Sequence, residues 1–117
     1  MSLGPIDHHQ LQEYSQGDLV FEQELLALFI ADTQQHLEQL QGAVTQQEWE
    51  TAREVAHHIK GASGHVGAQV MSRIAAQLET QSQQQQPLDL LFQDLQTAYT
   101  AVILWVANQP QNIIPPG

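Results

Sequence analysis

Residues 49–67 read WETAREVAHHIKGASGHVG, and the reading of this stretch organises the rest of the chain. Trp49, Ala52, Ala56, Ile59, Ser63 and Val66 recur at steps of three and four, the spacing of one buried helix face. Yet Gly61, Gly64 and Gly67 fall in its last seven residues, and a glycine inside a helix costs about 1 kcal/mol relative to alanine. Either the helix stops near Gly61, with the glycines as cap and loop, or it runs on and Gly67 is its C-terminal stop. Ser63 and Val66 keep the core spacing beyond Gly61, which favours the continuous helix.

Working outward, the same periodicity recurs. Asp7 caps a short first helix through Tyr14 that Gly17 ends. A long helix from about Asp18 to Val44 carries Leu26, Ile30, Thr33, Leu37, Leu40 and Val44, with Phe29 widening the stripe. Thr45-Gln-Gln-Glu48 reads as a capping box that opens the quoted helix. A fourth helix, about Gln69 to Gln81, buries Val70 or Met71, Ile74 and Leu78. The polar tract QSQQQQ, residues 81–86, reads as a loop, and Pro87 suits the first turn of a last helix carrying Leu88, Leu91, Leu95, Ala98, Val102 and Trp105. No period-two alternation is sustained. The expectation is an all-α fold: an up-down four-helix bundle with a short additional N-terminal helix. It forms one domain over 1–117, with a helical core of about 6–107 and an irregular, proline-containing tail over 108–117.

Composition narrows the function. The 117 residues include no cysteine, so disulfides, thiolate metal sites and cysteine nucleophiles are excluded. Thirteen acids against three bases give a net charge of −10, which repels nucleic acid and anionic membranes. The apolar run Ala101–Ala107 is too short to cross a bilayer, and the N-terminus lacks the basic and apolar regions of a signal peptide. The expected setting is the cytoplasm. The three bases, Arg53, Lys60 and Arg73, cluster in and around the quoted stretch, so an anion is expected there. For Arg73 an ordinary solvated side chain is an equal reading.

With about 100° per residue, His57 and His58 each point roughly 130° from the core direction, on opposite flanks. Both are therefore exposed. Arg53, Lys60, Gly61 and Gly64 lie within about 60° of His57, whereas His58 shares its flank with Glu54 and His65. The His57 flank is a basic strip stripped of side-chain bulk, arranged for a bulky body to approach closely. An exposed imidazole keeps an unprotonated, nucleophilic fraction near neutral pH. The Lys60 ammonium one turn away is suited to phosphoryl oxygens. The enclosed acid–base constellation of an autonomous hydrolase or kinase is not legible here.

Ala56-His57-His58-Ile59-Lys60-Gly61-Ala62-Ser63, then Val66-Gly67-Ala68 and Leu78-Glu79, resembles the histidine-containing phosphotransfer (HPt) domain family. Leu25 to Asp32 is similar to that family's second-helix segment, and the likeness covers roughly residues 6–106. It implies that His57 is the phosphorylated nucleophile, Lys60 the residue stabilising the phosphoryl group, and Gly61 the clearance beside it. It implies a phosphorelay intermediate that accepts a phosphoryl group from a receiver-domain aspartyl phosphate and passes it to another receiver aspartate. Its partners would be response-regulator receiver domains and a hybrid or sensor histidine kinase. It would need no cofactor of its own, with Mg²⁺ on the receiver, and it would carry a phosphohistidine without being an autonomous enzyme. Arg53 and Gly64 are assigned to partner docking from the helix face alone, and the chain is expected to be a monomer. What orients the second ring nitrogen of His57 depends on an adjacent helix.

Two other classes compete. A non-catalytic adaptor bundle would have lost the histidine or lysine, and this chain keeps both. A metal-binding bundle could draw on His58, His65 and Glu54, with His8 and His9, but two turns separate His58 from His65 and no His-Glu-x-x-His pairing occurs. No metal is expected. Ser63 lies on the core stripe and is a poor candidate nucleophile.

Overall fold

The computed structural model describes residues 4–109, so the tail expected over 108–117 lies, beyond Gln109, outside the described residues. Those residues form five helices and no strand: α1 (His8–Ser15), α2 (Leu19–Gln46), α3 (Trp49–His65), α4 (Gln69–Gln83) and α5 (Asp89–Ala107). Packing of α2 on α3, α3 on α4, α4 on α5 and α5 back on α2 closes a four-helix ring, and α1 lies against α2. The bundle with its extra N-terminal helix is thus the architecture the periodicity predicts. The long axis of 47 Å is close to the ~42 Å that the 28 residues of α2 span at 1.5 Å each.

The core is drawn from all four long helices. Leu26, Phe29, Leu37 and Leu40 come from α2, Ala52, Ala56 and Ile59 from α3, and Met71, Ala75 and Leu78 from α4. Phe92, Leu95, Tyr99 and Val102 complete it from α5. Ile30, Val44, Ile74, Leu91 and Trp105, read as core from spacing, are only partly buried around its edge. Ser63 is fully buried, which removes it as a surface nucleophile.

Two N-caps are as the sequence suggests. Asp7 and Asp18 hold extended backbone and accept from the N–H groups of Gln10 and Phe21 at 3.1 and 3.0 Å. Each such cap is worth about 1 kcal/mol. The capping box at Thr45–Glu48 is not formed. Instead α2 runs on through Gln46, and Glu48 caps α3 without a side-chain bond. The reason is how α2 ends. Gln47 enters the left-handed region (φ 56°), its N–H meets the Val44 carbonyl, and the Glu48 N–H meets that of Ala43. This Schellman closure joins two helices in two residues and leaves Thr45 inside the first.

The same closure ends α3 and α4. At α3 the left-handed residue is Gly67 (φ 79°), with Gly67 and Ala68 donating to Gly64 and Ser63. At α4 it is Gln85 (φ 54°), with Gln85 and Gln86 donating to Ser82 and Gln81. The glutamine tract is therefore half helix: α4 continues through Gln83, and the buried Ser82 hydroxyl donates to the Leu78 carbonyl. Pro87 precedes Leu88, the N-cap of α5, and so falls just outside the helix it was expected to begin.

By length and composition α5 could cross a membrane, with a mean hydropathy of 1.2 over its apolar window. The seven-residue run seen in the sequence is only part of it. Its inward stripe nonetheless belongs to the bundle core, and the Tyr99 hydroxyl donates to the Ile30 carbonyl of α2 at 2.8 Å.

The segment before α1 fastens to the α3–α4 turn. The Asp7 N–H donates to the Gly67 carbonyl at 2.7 Å, and the Gln10 amide donates to the Gly64 carbonyl at 3.1 Å. A Cβ on Gly67 would stand 2.6 Å from the Asp7 carbonyl oxygen. Gly67 is thus more than a helix stop, because the crossing backbone also requires it. On α1's other side the buried Glu22 carboxylate of α2 accepts from Ser15 at 2.7 Å and faces His8 at 3.4 Å.

Candidate functional site

The stretch from Trp49 to His65 is one continuous helix, with Gly61 and Gly64 inside it. Its core face is fixed by Ala52, Ala56, Ile59 and Ser63, which turns His57 and His58 outward. Their side chains are 64 % and 49 % exposed.

α3 and α4 run antiparallel across the short turn at Gly67, and this brings Glu79 of α4 opposite His57 and Lys60. The Glu79 carboxylate is divided between them. Its Oε2 lies 2.8 Å from His57 Nδ1, and its Oε1 accepts from Lys60 Nζ at 2.7 Å. The Lys60 hydrogen bond, helped by that of His57, holds the Glu79 carboxyl below its ordinary value against the opposing effect of burial. The group is therefore ionised and only accepts, so His57 carries its proton on Nδ1. The lone pair sits on Nε2, on the side of the ring away from Glu79. This is the orienting residue that spacing along α3 leaves unnamed, because it belongs to another helix.

Gly61 is exposed, and a Cβ built on it meets nothing within 4 Å. Among the described residues no packing demands a glycine there. Gly64 is placed differently. It is half-buried, its carbonyl is held by Gln10, and an added Cβ would make ordinary contact with Ser72 Oγ at 3.8 Å. Arg53 pairs with Glu50, one turn earlier on α3. The strip beside His57 is thus not a row of free cations: Lys60 is matched by Glu79 and Arg53 by Glu50. A face argument confined to basic side chains misses both carboxylates. Arg73 is exposed on α4.

The histidines weighed together as metal donors, His58 and His65 with His8 and His9, each meet a different partner. His65 stacks on Tyr14 with ring centroids 5.5 Å apart, His9 faces Glu13, and His8 faces Glu22. His58 turns instead to α2, where it meets Asp32.

The site therefore offers an open imidazole nitrogen, a carboxylate that fixes its tautomer and an ammonium beside it, on a helix face with its bulk removed. The family model described as Hpt domain matches residues 24–105. No curated protein matches the chain. Two solved structures share its fold. One is the crystal structure of histidine-containing phosphotransfer protein B from Pseudomonas aeruginosa PAO1. It has a TM-score of 0.87 at 21% identity and covers 97% of this chain and 100% of that one. The other is the HPT domain from an Hpt sensor hybrid histidine kinase of Shewanella, with a TM-score of 0.72 at 20% identity, covering 93% and 99%.

Proposed function

Since the chain belongs to the Hpt domain family and is a histidine-phosphotransfer intermediate of two-component phosphorelays, we propose that His57 is the residue that carries the phosphoryl group. Its partners are receiver domains and histidine kinases. The observation that carries the assignment to His57 is its exposed ring, held by Glu79 through Nδ1 with Nε2 left bare.

The transfer follows from that geometry. The Nε2 lone pair attacks the phosphorus of a receiver aspartyl phosphate, and the N–P bond forms as the acyl P–O bond breaks. The receiver aspartate leaves as a carboxylate. The Nδ1 proton stays in place, so the phosphorylated ring is cationic, and the Glu79 carboxylate offsets that charge. Lys60 has three donors, enough to keep Glu79 and still reach a phosphoryl oxygen. Gly61 leaves space for the receiver's approach, with Arg53 and Gly64 along the docking face. Delivery to a second receiver is the same sequence reversed.

The chain acts as a single phosphotransfer unit, a monomer in the cytoplasm, and needs no cofactor of its own because Mg²⁺ resides on the receiver. Its net charge of −10 disfavours nucleic acid and anionic membranes as partners. A receiver charged with acetyl phosphate is expected to label the wild-type chain, and His57→Gln is expected to abolish the label. Labelling that persists in His57→Gln and disappears in His58→Gln would overturn the assignment.

A further inference from the structure

On the flank of α3 away from Glu79, His58 joins a second group of side chains that phosphotransfer does not use. Its Nε2 lies 2.9 Å from Asp32 Oδ2, so the ring donates to the carboxylate. Its plane lies on the ring of His36, with centroids 3.9 Å apart and an interplanar angle of 14°. Asp32 and His36 are four residues apart on α2 and so share one helix face. The His36 Nδ1 also donates to the Asp32 backbone carbonyl at 2.8 Å. Two imidazoles and one carboxylate from two different helices therefore converge, with a potential ligand atom from each lying within 4.8 Å of the others.

We propose that Asp32, His36 and His58 form a surface site for a divalent transition-metal ion of the zinc class. The donor set decides the class: imidazole nitrogen with carboxylate oxygen suits Zn²⁺, Cu²⁺ or Ni²⁺, whereas Mg²⁺ and Ca²⁺ require oxygen ligands. The proton between His58 Nε2 and Asp32 marks the place an ion takes, for an ion can bridge those two atoms as the proton does. Donors about 2.1 Å from a tetrahedral ion stand roughly 3.4 Å apart, so the 2.9 Å edge between His58 and Asp32 must open by about 0.5 Å and an edge at the 4.8 Å limit must close by about 1.4 Å. The side chains have the freedom for this, being 38 %, 22 % and 49 % exposed for Asp32, His36 and His58. That exposure also gives the ion a way in and leaves water to complete its coordination. The bond from His36 to the Asp32 carbonyl is an outer contact of the kind that orients metal-bound histidines. His57 is not a ligand, and a bound ion staples α2 to α3 on the flank next to it.

The test is calorimetric titration of the tag-free full chain with Zn²⁺, alongside the ¹⁵N resonances of its histidine rings. The expected result is uptake of one ion per chain, with the His36 and His58 resonances displaced and that of His65 unmoved. Asp32→Asn and His36→Gln should each weaken uptake about tenfold or more, with helicity unchanged by circular dichroism. His9→Gln, His65→Gln and His57→Gln should leave it as it was. Absence of uptake overturns the proposal, as does uptake indifferent to both Asp32→Asn and His36→Gln, or uptake that moves other histidines instead.

Discussion

At the scale of single residues, the proposed site is arranged by a carboxylate that serves two hydrogen bonds at once. Glu79 fixes the His57 tautomer with one oxygen and holds Lys60 with the other. Glu79→Gln keeps the size but not the charge, and an amide oxygen cannot offset a cationic phosphohistidine. Single-turnover transfer from a charged receiver is expected to slow by about ten- to a hundredfold, the scale of losing one electrostatic contact. Labelling survives, unlike in His57→Gln. A pH prediction follows from the same group. Its carboxyl is depressed from the ordinary 4.5, chiefly by Lys60. The stability it contributes is complete above that ordinary value and is lost as pH falls through the lowered one. Chemical denaturation of wild type and Glu79→Gln should therefore give a constant difference from neutral pH down to about 4.5, narrowing below it. The proximity of His57 and Lys60 is legible in the sequence because they share a turn of one helix. The part played by Glu79 is not legible in the same way, because spacing along α3 says nothing of how α4 is rotated against it.

At the scale of elements, α3 tolerates a residue that weakens it. Gly61 sits mid-helix with open space where a Cβ would be. Gly61→Ala is expected to stabilise the chain by about 1 kcal/mol in a denaturant melt. The same substitution is expected to slow transfer from a receiver, because the space it fills is the partner's. A gain in both would remove the clearance role. Helix existence and facing followed from period and spacing, including the persistence of α3 past its glycines. Helix ends did so less well. Gln47 and Gln85 take left-handed conformations that sequence habits reserve for glycine or asparagine, so α2 and α4 each run about two residues beyond the ends that spacing predicts.

At the scale of the whole molecule, α1 and its leading residues act as a strap across the α3–α4 turn. Gly67 is the point where strap and turn touch. Gly67→Ala meets both a left-handed backbone and a 2.6 Å approach to Asp7. It should cost about 2 kcal/mol or more in a thermal or denaturant melt, with hydrogen exchange of α1 accelerated ahead of the bundle. Helix periodicity alone does not distinguish this glycine from an ordinary helix stop, since the second requirement comes from backbone sixty residues away in the chain.

The openness of the His57 ring has a thermodynamic meaning for the relay. As the proposed carrier, His57 lies open to either receiver, and by microscopic reversibility whatever speeds transfer onto its ring speeds transfer off it. Net flow through the chain is then set by the relative phosphorylation of the receivers on either side. The protein behaves as a conductor between two reservoirs, and depleting the upstream one should make phosphoryl groups run backwards.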